Sequence, residues 1–332
     1  MAGDPNSTIT ELAPFLVEPR FVTRVWGFRD LRPWYDRVVD AGAEPVGEVW
    51  LTGDECRVAT GNHVGMTLGA LFEHSPNALL GAAAPGPQSP LLIKMIFARE
   101  KLSVQVHPDD RLAQKYGQPR GKTECWYSLY SEPGAQVAVG LKPGVTLDQV
   151  RTGIADSTLE HSLNVVPVSA GDMIFVDAGT VHAIWPGSII LETQQNCDIT
   201  YRMYDYGRPR ELHIEKSLEA TRLETRAGKV PPRRLKDRTI LVDVEYFRVE
   251  RVPVEKLRPC KTLPAPDEAP AGLSFLFAAA GSARIHGPAF EPVELPARAI
   301  AVIPAASSEF AVENLGGLDL IRISPRWPAG AH

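Results

Sequence analysis

Residues 171–182 read Gly-Asp-Met-Ile-Phe-Val-Asp-Ala-Gly-Thr-Val-His. Met173–Val176 is a short apolar run, and the residues on either side of it, Gly171-Asp172 and Asp177-Ala-Gly179-Thr180, are turn formers. The stretch therefore predicts a buried strand, a tight turn and a histidine just past it. The same frame can be laid on Arg298–Glu309 (RAIAVIPAASSE) position for position. There Arg298 replaces the first glycine, Ala306 the second, and Glu309 the histidine. One β module is thus written twice, and only the first copy carries His182 at the end of the turn.

Outward from this stretch the pattern repeats. Leu91–Phe97, Leu102–Val106, Cys125–Leu129, Ser188–Glu192 and Ile199–Tyr204 are short apolar or alternating runs between Gly/Pro/Asp/Asn clusters. Residues 226–238 (RAGKVPPRRLKDR) are basic, contain Pro-Pro and read as a linker. Past them come Tyr246–Val252, Leu273–Ala278, Ser282–His286, Ala299–Ile303 and Leu318–Ile323. Helical spacing is confined to Met66–Leu80, Asp109–Tyr116, Thr146–Ile154 with its Thr-x-x-Gln capping pattern, and Pro209–Leu223.

Composition agrees with a mainly β chain. The 332 residues include 29 prolines and 27 glycines, rich in turn formers but short of the roughly 25–30% of low-complexity sequences. Hydrophobic residues at 44% and charged residues at 23% belong to a folded globular protein. The net charge of −5, without long runs of one sign, argues against a nucleic-acid partner. Cys56, Cys125, Cys197 and Cys260 form no C-x-x-C pair, so no zinc ribbon or thioredoxin-like motif is present. Residues 1–15 lack a basic segment followed by an apolar one, and no apolar run approaches the ~18 residues of a membrane span. A soluble, cytoplasmic protein without a membrane partner is expected. No residue pattern specifies an oligomeric state.

Four segments carry the candidate chemistry. In LSVQVHPDD, Gln105 and His107 are two apart and share a strand face; alone, the histidine would read as a hydrogen-bonded core residue. In GKTECWY, Lys122 and Glu124 share a face and lead into an apolar run. Gly117-Gln-Pro-Arg-Gly121-Lys-Thr imitates a phosphate-binding loop but has three residues between the glycines where that motif needs four. His182 is the third piece. Together Gln105, His107, Glu124 and His182 offer two imidazoles, a carboxylate and an amide, a shell suited to Zn²⁺ with a position left open and acceptable to iron or manganese. In ILETQQNCDITYRMYDYGRPR, Glu192 and Gln194 share one face, and Asp198, Thr200, Arg202 and Tyr204 would share another. That row is unusually polar, and alone it would read as an exposed edge strand with an ion pair.

The 171–182 frame resembles the second sequence motif of the cupin family, whose fold is a small jelly-roll β-barrel. The resemblance implies two such barrels with a few short helices: residues 1–234 as a metal-binding catalytic domain, and 235–332 as a degenerate C-terminal barrel without metal. LSVQVHPDD, GKTECWY, GTVHAI and LETQQNCDITYRMYDYGR, in that order, closely resemble the class I mannose-6-phosphate isomerases in their short bacterial form. Val25-Trp-Gly27 and Gly47-Glu-Val-Trp50 agree, and the match runs from about residue 15 to 220. It implies a zinc-dependent aldose–ketose isomerase acting on a small sugar phosphate, with one Zn²⁺ per chain on Gln105, His107, Glu124 and His182. It further implies catalytic roles for Arg202, Glu192, Lys122 and Asp198, with Lys94, Ser103 and Arg208 lining the substrate pocket. Asp177 stands where the family mostly has proline. The competing readings are a non-catalytic sugar-phosphate sensor of the same fold and an iron-dependent oxygenase using His107, Glu124 and His182. The first leaves the acid–base row without purpose, and the second leaves the cluster of lysines and arginines without one.

Overall fold

The strand Met173–Val176 forms as its flanking turns require, and it lies inside a seven-stranded antiparallel sheet. The computed structural model describes residues 12–81, 84, 86–261, 272–307 and 309–327. Most of the N-terminal stretch that predicts no leader (residues 1–11) lies outside these, as does Ser308 of the second frame. The chain divides into two compact units, each assembled from separated segments. One contains residues 21–50 and 91–231, the other residues 1–20, 51–90 and 232–332. The sequence division at 234/235 groups residues 1–20 and 51–90 with the first barrel, whereas packing groups them with the C-terminal unit.

The 21–50/91–231 unit is a sandwich of two sheets. The larger has the order Gly228–Lys229, Met173–Val176, Glu124–Ser131, Ser188–Gln195, Leu91–Phe97, Val46–Trp50, Arg20–Phe28. The smaller has the order Tyr201–Tyr204, Val104–Val106, His182–Ile184, Gln136–Leu141, Leu163–Pro167. Ile96, Trp126, Ile174, Val176 and Ile190 of the larger sheet pack against Val137, Val139 and Ile184 of the smaller, forming one apolar core. On its other face the smaller sheet presents Val104, Val106 and Ala183 to Val150 and Ile154 of the helix Leu147–Ala155 and to Leu218 of Ile214–Ala220. The first of these helices starts at the expected capping box, with Thr146 and Gln149 bonded reciprocally.

Gly27 is required where Arg20–Phe28 meets Val46–Trp50. A Cβ there would lie 2.3 Å from the carbonyl carbon and oxygen of Val46. Gly27→Ala is expected to destabilise by ~1–3 kcal/mol through forced backbone displacement. A urea midpoint equal to that of the unaltered chain would contradict this.

The other unit carries a nine-stranded antiparallel sheet built on the long strands Ser274–Gly287 and Glu309–Pro325. Leu273–Ala278 and Ser282–His286, expected as separate strands, are one strand, bent at bulges around Gly281, whose φ is +65°. Here Glu250 is buried and held by Arg322 (2.5 Å) and Arg238 (2.8 Å). The linker residues are also paired: Gly228–Lys229 joins one unit's sheet and Arg233–Arg234 the other's, with Pro231-Pro232 at the division. Among the described residues no helix is long and apolar enough to cross a membrane.

The helix expected over Pro209–Leu223 is shorter, Ile214–Ala220. Residues 211–213 are held to the neighbouring strand instead: the His213 backbone N–H donates to the Arg202 carbonyl (2.7 Å) and its Nδ1 accepts from the Arg202 N–H (3.2 Å).

Candidate metal centre and active-site cavity

The inner face of the larger sheet changes character along its strands. Residues opposed across antiparallel neighbours share a face. The register sets Lys94 opposite Glu192, Glu192 opposite Trp126, Gln194 opposite Glu124 and Glu48 opposite Ile96. One end of this face is the apolar core and the other is a buried ladder of charge. Lys94 Nζ lies 3.1 Å from Glu192 and 3.7 Å from Glu48; Lys122 Nζ lies 3.0 Å from Glu124 and 3.8 Å from Glu192. The facing sheet contributes a polar row, Arg202 opposite Gln105 and Gln105 opposite His182.

His107, Glu124 and His182, all buried, bring their ligand atoms within 4.8 Å of one another. His107 Nδ1 donates to the Ile199 carbonyl and His182 Nδ1 to the Thr180 carbonyl, both at 2.8 Å. A carbonyl only accepts, so each ring carries its proton on Nδ1 and turns an Nε2 lone pair inward, as a metal-ligating histidine does. Lys122 Nζ donates to His107 Nε2 (3.1 Å) and the Gln105 amide to His182 Nε2 (3.2 Å). Trp126 Nε1 donates to Glu124 Oε1 (3.1 Å), while the buried Oε2 faces the Lys122 ammonium at 3.0 Å. Two neutral imidazoles and a carboxylate, converging in one buried cluster, are a donor set that fits a divalent ion. Gln105 directs its nitrogen at this point and its oxygen at Ser103 Oγ (3.2 Å), so acting as an oxygen ligand requires the amide turned over. Among the described residues this is the single group of three such side chains placed to hold a metal; in the C-terminal unit, His286 is bonded to Glu313 (2.8 Å).

Burial is the main force on the titrating groups. It brings His182 down to about 4, with the Thr180 carbonyl opposing and the Lys122 charge adding. Burial, then the charges of Lys122 and His182, hold His107 well below its usual range. Burial and the neighbouring Glu124 carboxylate raise Glu192 against the pull of Lys94 and Lys122. Burial disfavours charge on Lys94 too, but Glu192 and Glu48 outweigh it and raise the ammonium's pKa.

Above the centre lies a cavity of about 330 Å³, within the range of small-molecule sites. Of the residues singled out from sequence, Lys94, Ser103, Gln105, Lys122, His182, Glu192, Asp198 and Arg202 line it. His107 and Glu124 complete the buried cluster. Arg208 does not line the cavity: its Nη2 donates to the Lys101 carbonyl (2.5 Å) and lies 3.2 Å from the Asp205 carboxylate, its Nε donates to the Asp205 carbonyl (3.2 Å), and its guanidinium lies 5.6 Å from the Tyr206 ring. Tyr204, expected in the row with Arg202, is displaced by a bulge between residues 202 and 204. It pairs with Val104 and packs on the opposite face. Asp198 and Thr200 precede the strand in an irregular segment yet still line the cavity. Arg202 makes no carboxylate ion pair among the described residues, contrary to an exposed Asp198–Arg202 bridge; its Nη1 donates to the Glu211 carbonyl (2.8 Å). Asp177 closes its turn by side chain, accepting from Thr180 Oγ1 (2.9 Å), which accounts for an aspartate where a proline is usual.

Arg24, Glu48 and Arg210 also line the cavity and were not assigned from sequence. Glu48 is buried between Arg24 (3.1 Å to each carboxylate oxygen), Trp50 Nε1 (2.7 Å) and Lys94. A carboxylate inside the apolar run VGEVWL was the available signal. Burial works to raise its pKa, but Lys94, Arg24 and the Trp50 N–H prevail and hold it at about 2. A depressed carboxylate stabilises the fold above its ordinary value of 4.5 and loses that contribution as pH falls through about 2. The full contribution is about 3 kcal/mol. The stability difference between the unaltered chain and Glu48→Gln should therefore be largest near pH 7 and shrink progressively below about pH 5. A difference independent of pH in chemical unfolding would contradict this.

Fold and site together define a mainly β protein of cupin-like architecture with a buried His–Glu–His centre under a charged cavity. Residues 31–139 match the catalytic domain of type I phosphomannose isomerase. The mannose-6-phosphate isomerase of Streptococcus mutans serotype c (strain ATCC 700610 / UA159) is 34% identical over 250 residues, 71% of this chain and 77% of that one. ManA, the mannose-6-phosphate isomerase of Bacillus subtilis (strain 168), is 35% identical over 251 residues, 71% and 78% of the two chains. The crystal structure of mannose 6-phosphate isomerase from Bacillus subtilis superposes with a TM-score of 0.82 at 29% identity, covering 94% of this chain and all of that one. The chain belongs to the type I mannose-6-phosphate isomerase family of enzymes.

Proposed function

We propose that this chain interconverts mannose 6-phosphate and fructose 6-phosphate through an enediol, using one Zn²⁺ held by His107, Glu124 and His182, with Gln105 as a further ligand. The observation that carries this reading is the buried convergence of two neutral imidazoles and a carboxylate beneath a cavity lined by lysines, arginines and a carboxylate of raised pKa. The family's reaction removes a proton beside a carbonyl and returns one to the adjacent carbon. When bound, zinc supplies Lewis-acid polarisation of the sugar's oxygens. Glu192, raised toward neutrality, suits the general base, and Asp198 is a second carboxylate at the same cavity. Lys122 and Arg202 place positive charge where oxyanion character develops. Lys94 keeps Glu192 in place, and Ser103 holds the Gln105 amide. Both proton transfers occur in a site from which burial excludes most water. The reading carries with it a cytoplasmic location for a soluble enzyme.

The test is a coupled assay with mannose 6-phosphate on the purified protein, on the chelated protein, and after zinc is restored. Turnover that disappears on chelation and returns with zinc is expected. No fructose 6-phosphate in any metal state would overturn the proposal.

A further inference from the structure

Three guanidiniums line the cavity, Arg24, Arg202 and Arg210. We propose that Arg24 and Arg210 form the clamp for the substrate's phosphate, and that Glu48 is a positioning residue that aims Arg24. The phosphate's identity rests on the isomerase reading; the clamp itself is an inference about a dianion site.

The two lysines of the cavity are engaged elsewhere. Lys94 and Lys122 are each 3% exposed, and their ammonium groups lie in the Glu48–Glu192 and Glu124–His107 clusters. Arg24 and Arg210 are the accessible cations, with side chains 29% and 24% exposed. Each is held in a fork by a buried carboxylate: Arg24 by Glu48, and Arg210 by Asp205 with both contacts at 2.6 Å. Nε and one Nη2 proton serve that fork in each case, and Arg24 gives one Nη1 proton to the Thr23 carbonyl (3.1 Å). A guanidinium carries five N–H groups. Two remain on Arg24 and three on Arg210, in planes fixed before any ligand arrives. Such fixed forks suit phosphate oxygens better than mobile ammonium groups do. Arg202, which serves the reacting end of the sugar, lines the same cavity beside them. Burial lowers the pKa of Arg202, Arg210 lowers it further against the opposing pull of Asp205, and Arg208 and Arg24 add to that repulsion, which a bound dianion relieves. Five cationic side chains and three carboxylates line the cavity, and Glu124 and Asp205 pair with Lys122 and Arg210 beside it, so what suits an anion here is the fixed N–H groups the two forks leave over rather than net charge.

The experiment uses the full zinc-loaded chain and inorganic phosphate as the probe, titrated by calorimetry, beside KM and kcat for mannose 6-phosphate. Arg24→Gln and Arg210→Gln should each weaken phosphate binding by about tenfold or more, with the kinetic loss falling mainly on KM. Arg24→Lys keeps the charge facing Glu48 and serves where Arg24→Gln does not fold; losing the fork alone should still weaken phosphate severalfold. Glu48→Gln should weaken phosphate severalfold, yet add nothing in an Arg24→Gln background, which separates positioning from general destabilisation. Phosphate affinity and KM unchanged in both glutamine variants would overturn the clamp, as would a loss on Arg208→Gln with none on the other two. If phosphate binding follows the prediction while no metal state isomerises mannose 6-phosphate, the clamp stands and the isomerase reading falls.

Discussion

His182→Ala should leave the chain folded but remove most of its bound metal and its turnover. The ring supplies one of three converging donors, and its Nδ1 bond to Thr180 fixes the Nε2 lone pair toward the other two. Loss of groups that merely orient a metal ligand costs ~10–100-fold in affinity or activity. Losing the ligand itself should exceed that, so metal content after gel filtration should fall by more than about a hundredfold in affinity terms. The truncation also opens a void beside Trp126, whose ring centroid lies 5.5 Å away, so a moderate fall in melting temperature accompanies it. His286→Ala provides the contrast, because His286 lies in the other unit, bonded to Glu313. Metal content equal in the His182→Ala and unaltered proteins would contradict the assignment.

Arg202→Ala should act on rate rather than on metal or fold. The guanidinium reaches the cavity from the strand opposed to Gln105, two residues across the sheet from His182. It neutralises no carboxylate, and its side chain makes one described hydrogen bond, to the Glu211 carbonyl. An exposed ion pair would contribute ~0–1 kcal/mol to stability and nothing to rate. A donor poised at a developing oxyanion is worth about 10²–10³ in turnover, or ~2.7–4 kcal/mol. The expected result is a kcat lower by that factor, zinc content unchanged and melting nearly unchanged. Near-normal kcat would return Arg202 to a structural role.

Much of the centre was legible because strand geometry has period two. The spacing of Gln105 and His107, and of Lys122 and Glu124, predicts each pair on one face. The strands Val104–Val106 and Glu124–Ser131 hold only Gln105 and Glu124, and His107 and Lys122 flank them, yet the four still converge on one cluster. The turn before His182 and the capping box at Thr146 are equally local, and both form as written. What failed depended on register or on distant contacts. Tyr204 left its row because one bulge reverses the parity of the strand. Arg208 and Arg210 are two residues apart on an irregular segment, where spacing does not decide which reaches the cavity. Asp205 pairs with both, at 2.6 Å to Arg210 and 3.2 Å to Arg208, and the Lys101 carbonyl and Tyr206 ring hold Arg208 away from the cavity. Glu48 announced itself only as a charge among apolar neighbours, and its meaning came from Arg24 and Lys94, far away in sequence. The grouping of residues 51–90 with the C-terminal unit rests on long-range packing that no local pattern encodes.

The most direct test of the metal-dependent account is a zinc titration of the chelated protein, following turnover of mannose 6-phosphate against equivalents added per chain. Activity should rise linearly from near zero and break sharply at one equivalent. Full activity before any zinc is added, or a break at two equivalents, would contradict it.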